Sequence, residues 1–281
     1  MTGTAAPKKG TQWLSLYLPL ALIMLFILFP FYWTLVVALK RESDIYKIPI
    51  QYLPSPATLK NFVIAWNNVG FSVFFKNSFL VAAVSVVVIV FCSMLIGYAL
   101  NRFKFRGKAA FLMLLLSTQF VPQSMLIIPL FVIFKNMHLI NNLGSLMLTY
   151  ATFQIPFNSI IMRGFINNIP FQLEEAAMVD GCGRLRAIYV AVLPILLPGL
   201  VATGAFAFIG CWNEFLCALM FINSKALFTI PVGLNYMQGQ FDINYGALAA
   251  GSIIALSPAI LLFAYVQKYL VQGLSAGSVK G

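Results

Sequence analysis

The 281-residue chain carries 18 basic and 7 acidic side chains, so that only 9% of it is charged while 61% is hydrophobic, with a mean hydropathy of +0.91. A soluble globular protein uses about 25% charged residues, so most of this chain faces lipid, where every backbone N–H and C=O must be satisfied within the protein. The apolar runs are continuous rather than alternating over about 10 residues, which excludes a barrel and selects helices.

About 20 apolar residues cross a bilayer as a helix, and six such runs follow one another. The first covers 13–39. Lys8 and Lys9 precede it as they would in a signal peptide, but the run is far longer than a signal-peptide core and lacks a small-residue cleavage site, so a retained helix is expected. A loop at 40–76, rich in proline and aromatics, leads to the second run at 77–100. The third, 109–134, is broken by Pro122 and Pro129, and the fourth, 143–165, contains Pro156. A polar loop at 166–192 separates these from runs at 193–222 and 246–269. No Gly/Ser linker or low-complexity tract interrupts the pattern, so one domain over 1–281 is expected, all-α, with six transmembrane helices.

The net charge of +11 does not mark a nucleic-acid binder, because the basic residues are scattered between apolar runs and read as topology signals. With the N-terminus inside, Lys8, Lys9, Arg102, Lys104, Arg106, Lys108, Arg163, Arg184, Arg186, Lys268 and Lys280 are cytoplasmic. Lys40, Arg41, Lys47, Lys60, Lys76, Lys135 and Lys225 are external. The eleven-to-seven excess favours cytoplasmic N- and C-termini, with the short basic stretch at 101–108 weighing most. Cys92, Cys182, Cys211 and Cys217 form no C-x-x-C pair, and His138 stands alone in a short loop, so no metal site is expected.

The loop at 166–192 differs in chemistry from the rest. Pro170 sits at a plausible helix start, and Glu174 and Glu175 follow in an early turn, where the helix dipole favours acids. Ala176, Ala177 and Met178 are good helix formers. Gly181 and Gly183 allow a sharp reversal after Asp180, and a second helical stretch runs from about Arg184 to Pro194. A short helix, a glycine turn and a second helix, with small residues and charged edges, suit docking into a groove on a partner.

The spacing of Glu175-Ala176-Ala177, Gly181 and Leu193-Pro194 resembles the "EAA" loop of ABC importer permeases, with Ala191 standing where that family commonly has Ile. The resemblance extends to residues 52–62 (YLPSPATLKNF), 97–107 (GYALNRFKFRG), Trp212-Asn213-Glu214-Phe215 and the tail 267–281. Together these resemble the shorter permease of the maltose-type carbohydrate importers. The resemblance implies a type I ABC importer permease fold in a bacterial or archaeal plasma (inner) membrane. It implies a second permease subunit, two ATPase subunits and an extracytoplasmic solute-binding protein as partners. ATP and Mg would sit on the ATPase subunits, with no cofactor in this chain. Carried over by position, Glu174, Glu175, Ala176, Ala177, Asp180, Gly181, Arg184 and Pro194 would form the coupling element, with Glu175 making the charged contact and Gly181 the turn. Gly273 and Lys280 would lie in a tail that touches the ATPase pair, a stretch that also reads as a frayed terminus.

No G-x-x-x-x-G-K-[S/T] phosphate loop is present, so the energy source must be another subunit. An acid inside a span is a functional candidate; Glu214 is one, some 20 residues beyond Leu193 and so roughly 30 Å along the helix, near the outer face. It either meets water and caps a neighbour or lines an outer vestibule or gate. Ser117, Thr118, Gln119, Gln123 and Ser124 beside Pro122, Thr152, Gln154, Asn158 and Ser159 around Pro156, and Asn213 would bond neighbouring helices, patch backbone freed by proline, or line the pathway. The motifs mark the coupling machinery and not the cargo, so a polyol, glycerol phosphate or an oligosaccharide stands beside a sugar. A stand-alone secondary transporter would show inverted repeats and midplane charges, which the sequence lacks.

Overall fold

The computed structural model describes the backbone of residues 9–239 and 243–278, and the side chains of 15–239 and 243–269. In chain order the helices are α1 (Lys9–Leu39), α2 (Glu42–Ile45), α3 (Lys60–Val63), α4 (Phe71–Arg102), α5 (Lys108–Ser117), α6 (Gln123–Asn136), α7 (Leu143–Asn167) and α8 (Gln172–Val179). They continue with α9 (Arg184–Ala187), α10 (Leu193–Trp212), α11 (Leu216–Phe221), α12 (Ile230–Met237) and α13 (Tyr245–Ser278). No strand occurs among the described residues.

Four helical segments are long and apolar enough to cross a bilayer: Ser15–Leu39, Phe71–Arg102, Arg184–Trp212 and Tyr245–Tyr269. A fifth is reached if Lys108–Phe120 and Gln123–Asn136, bent by 96°, count as one span. The expected count of six is therefore not met on length and composition alone. The helix α7 has 25 residues, enough for about 37 Å, but Thr149, Thr152, Gln154, Asn158 and Ser159 along it dilute its apolar character.

Several boundaries differ from the sequence expectation, among them the start of the second run, which lies at Phe71 rather than 77. The third run breaks at Val121, which takes the extended conformation that a following proline favours (φ −82°, ψ 116°) before Pro122, whereas Pro129 stays inside α6. The fifth run stops at Trp212 and restarts as α11, so Asn213-Glu214-Phe215 is a break rather than a helix interior. The helical stretch expected from about Arg184 and the fifth run form one segment, because α9 passes through a π-helical turn at Ile188–Val192 into α10.

The described chain divides into two compact units. One comprises residues 1–70 and 237–254. Its centre is an alanine cluster (Ala38, Ala65, Ala247, Ala249 and Ala250), where the absence of bulk lets backbones approach. Asn61 Nδ2 donates to the carbonyls of Ala38 (2.9 Å) and Lys40 (2.7 Å), and Glu42 accepts from the N–H groups of Tyr245 and Gly246 at the start of α13.

The other unit comprises 71–236 and 255–281. Here α4, α7 and α10 pack as three long helices around Tyr98, Met162, Ile166, Ile169, Val192 and Leu196. In lipid, such packing depends on van der Waals fit, since the tails are as apolar as the side chains. Gly97 permits a close backbone approach of α4 to α7: a Cβ there would lie 2.9 Å from the Arg163 backbone nitrogen and 3.2 Å from the Met162 carbonyl carbon. Near this crossing Asn101 Nδ2 donates to the Arg163 carbonyl at 3.3 Å, which fixes the register of α4 on α7.

Candidate functional sites: the 168–194 loop and the Glu214 cavity

The helix α8 ends in a full Schellman turn. The Cys182 N–H reaches the Ala177 carbonyl at 3.0 Å and the Gly181 N–H reaches that of Met178 at 3.1 Å. This geometry places Gly181 at φ +88°, a left-handed conformation that glycine adopts without steric penalty. Gly183 then returns to extended backbone and starts α9.

The two acids of α8 part company. Successive residues on a helix differ by about 100° in direction, so Glu174 and Glu175 cannot share a face. Glu174 is 2% exposed. One of its oxygens accepts from Arg102 Nε at 2.5 Å, and the other accepts from the Tyr98 hydroxyl at 2.7 Å. The same guanidinium donates from Nη2 to the Ile169 carbonyl at 2.8 Å and lies 5.5 Å from the Phe171 ring centroid. Arg184 lies 5.0 Å from the ring of Phe103, which itself meets Tyr98 edge-on. Glu175, Ala176, Asp180, Gly181, Arg184 and Pro194 are exposed and Ala177 is half-buried. Of the residues expected in the coupling element, Glu174 alone is thus turned fully inward. Large apolar side chains stand out from the loop as well: Val179 is 86% exposed, Leu185 84% and Tyr189 72%.

A second locus lies between α7, α10 and the Pro122 break. A cavity of about 300 Å³ is lined by Gln119, Gln123, Tyr150, Phe153, Gln154, Phe157, Gly210 and Glu214. Tyr150, Phe153, Gln154 and Phe157 recur at the spacing of one helix face. Glu214 Oε2 accepts from the Tyr150 hydroxyl at 2.7 Å and the Ala218 N–H at 3.2 Å, and Oε1 accepts from the Cys217 N–H at 2.8 Å. The carboxylate therefore caps α11, satisfying amides that a helix start leaves open. No basic residue lines the wall, so the cavity carries a net negative charge when Glu214 is ionised.

The polar residues of the third and fourth runs sort by what they bond. Ser117, Thr118, Thr152 and Ser159 donate to carbonyls three or four residues back, patching their own helices. Of the amides, Gln154 bonds across to another helix, whereas Asn158 also bonds within its own. Gln154 Nε2 reaches the Ala207 carbonyl on α10 at 3.3 Å. Asn158, fully buried and off the wall, donates to the Gln154 carbonyl at 2.8 Å. Gln119, Gln123 and Glu214 come together on the cavity as a set, while Asn213 is exposed at the C-terminal cap of α10 and off the wall. Gly273 lies on the part of α13 where only backbone is described, and Lys280 lies outside the described residues.

Sequence reasoning did not single out Tyr98, Arg102, Tyr150, Phe153, Phe157 or Gly210. The signal for the aromatics was their i, i+3, i+7 spacing on a run that also carried amides; for Arg102 it was its place at the end of a span.

An all-helical polytopic chain of this kind, with polar groups gathered on an internal cavity and a short capped helix between two long ones, defines a membrane permease subunit. Residues 89–276 match the model of the binding-protein-dependent transport system inner membrane component, and the chain belongs to that family. It is accordingly a multi-pass inner-membrane subunit of an ABC transporter. It is 38% identical over 267 residues to the probable ABC transporter permease protein YurM of Bacillus subtilis, covering 95% of this chain and 88% of the relative. It is 35% identical to the sulfoquinovosyl glycerol transport system permease protein SmoH of Agrobacterium fabrum, covering 90% and 89%. Its fold is similar to a chain of a bacterial ABC transporter involved in the import of the acidic polysaccharide alginate. That likeness has a TM-score of 0.83 at 19% identity and covers 95% of this chain and 99% of that one.

Proposed function

We propose that this chain forms one half of the membrane pathway of an ATP-driven, binding-protein-dependent sugar importer and receives its energy through α8. Its partners are a second permease subunit, two ATPase subunits that hold ATP and Mg, and an extracytoplasmic solute-binding protein. In this reading the chain acts as one domain, both termini and the 166–192 loop are cytoplasmic, and the tail from Gly273 to Lys280 lies against the ATPase pair. The observation that carries it is the exposure of Val179, one turn beyond Glu175 on the polar helix α8, with Leu185 exposed past the glycine turn. An apolar side chain of that size contributes about 1.5–3 kcal/mol when buried, and its exposure on a polar helix outside the long apolar spans supports a partner covering this face. Closure of the ATPase pair on ATP would then displace α8 and, with it, the spans.

The test is the double substitution Val179→Asp and Leu185→Asp in the assembled transporter. The permease inserts normally, but co-purification of the ATPase falls by at least about tenfold, the equivalent of 1.4 kcal/mol. Wild-type recovery of the ATPase with this variant refutes the docking face.

A second observation bears on the cargo. Three glutamines and three aromatic rings around one carboxylate, with no cation on the wall, suit hydroxyl groups and sugar faces rather than phosphate. Among the solutes open to this family, the cavity favours an uncharged sugar, polyol or oligosaccharide over glycerol phosphate.

A further inference from the structure

A helix of eight residues is marginal by itself in water, so α8 keeps its place only through contacts to the rest of the chain. Covalently it hangs between the turn after α7 and two glycines, Gly181 and Gly183, which join it to α9. Its buried polar anchor is different. Glu174 reaches Arg102 and Tyr98 at the end of α4, and Arg102 in turn holds the Ile169 carbonyl of the α7–α8 turn. Of the two ion pairs among the described residues, the other, Lys47–Asp44, is a local pair whose lysine is 58% exposed. The Arg102–Glu174 pair is 7% and 2% exposed.

Buried ion pairs add little net stability, but they penalise every arrangement that separates the charges. A purely apolar contact tolerates sliding. A carboxylate gripped by a guanidinium on one oxygen and a tyrosine hydroxyl on the other tolerates neither translation nor rotation. We propose that Glu174, Arg102 and Tyr98 form the rigid joint through which displacement of α8 reaches α4. Glu174 and Arg102 are then positioning residues for coupling and no part of the surface that meets the ATPase. This rests on the reading of α8 as the docking element, and it adds that force enters the spans at α4. Without the joint, α8 still docks but pivots on its glycines.

The experiment uses the full transporter in lipid, with Cys92 and Cys182 replaced by serine and nitroxide labels at Lys104→Cys, beyond α4, and Gln172→Cys, on α8. The probe is a non-hydrolysable ATP analogue. In the parent the inter-label distance is narrow and identical with and without nucleotide. In Glu174→Gln the ATPase still co-purifies, but the distance broadens and shifts when nucleotide is added. Removing one partner of a buried pair shifts the docked equilibrium by about a hundredfold or more. Tyr98→Phe, which deletes one hydroxyl and keeps the ion pair, changes the distance in the same direction by less and guards against a folding defect in Glu174→Gln. A distance in both variants as narrow and nucleotide-independent as in the parent overturns the joint, as does loss of ATPase recovery in both. Failure of the docking reading shows elsewhere: Val179→Asp with Leu185→Asp then leaves ATPase recovery intact.

Discussion

Glu174 and Glu214 are built alike and serve different ends. Each accepts a tyrosine hydroxyl at 2.7 Å, from Tyr98 and Tyr150 respectively. They differ in what meets the remaining charge. Glu174 has a guanidinium at 2.5 Å and is buried. Glu214 has only backbone amides, at 2.8 and 3.2 Å, and opens onto a cavity. Neutralised charge in a closed pocket fixes geometry; unneutralised charge on a cavity wall sets the potential felt by whatever enters. An acid in a membrane protein therefore declares its role through its second partner rather than its first.

Arg102→Leu probes the charged side of the comparison hardest. It leaves Glu174 buried without a counter-charge, and loss of one partner of a buried pair costs about 3–5 kcal/mol. Limited proteolysis of the loop and thermal unfolding of the complex should both report the loosening. Protease resistance equal to that of the parent would mean that α8 is held by its apolar contacts. Next come Tyr98→Phe and Tyr150→Phe. A hydrogen bond to a charged group contributes about 1.5–3 kcal/mol, so both melt earlier, but only the Tyr98 variant exposes the 168–194 loop to protease. Equal loop protection in the two would erase the distinction between the nodes. Smaller again is Gly181→Ala. An L-residue at φ +88° pays about 1–2 kcal/mol, lost from the Schellman turn, and Gly181→Asn recovers part of it because asparagine tolerates that region. Circular dichroism melts of the set rank Gly above Asn above Ala; Ala equal to Gly would show that the turn is free to rearrange.

Much of this organisation is legible in the residues, and the rest fails for physical reasons. Continuous apolar runs announce helices, because lipid leaves no other way to satisfy the backbone. The glycine turn after α8 is legible too, since Gly181 follows a run of helix formers and precedes a second one. The bend after Phe120 has a visible cause in Pro122, but proline does not say whether a helix kinks or breaks, as Pro129 and Pro156 inside α6 and α7 show. The break at Asn213-Glu214-Phe215 has no proline or glycine to mark it and becomes intelligible only when Glu214 is seen capping α11. The opposed faces of Glu174 and Glu175 follow from helical geometry, but which one turns inward depends on Arg102, a residue 72 positions away. Partnership across that separation is a tertiary fact, and a local pattern does not carry it.

The smallest expected change is also the sharpest test of the comparison. Glu214→Gln preserves shape and one acceptor oxygen; the Tyr150 hydroxyl can turn to accept from the new amide, and only the long 3.2 Å contact from Ala218 is forfeited. A single neutral hydrogen bond contributes about 1 kcal/mol, so the melting temperature moves little, in contrast to Glu174→Gln, where a buried cation loses its partner. The effect appears instead in selectivity. A charge about 5 Å from Glu214 feels about 3 kcal/mol at an effective dielectric near 20 and about 0.8 kcal/mol at that of bulk water, so a discrimination of at least about fourfold is expected. Uptake of a neutral disaccharide against its uronic-acid analogue, measured in the same vesicles, should therefore differ less in the variant than in the parent. An unchanged ratio would mean that cargo does not pass Glu214 and that its carboxylate serves only to cap α11.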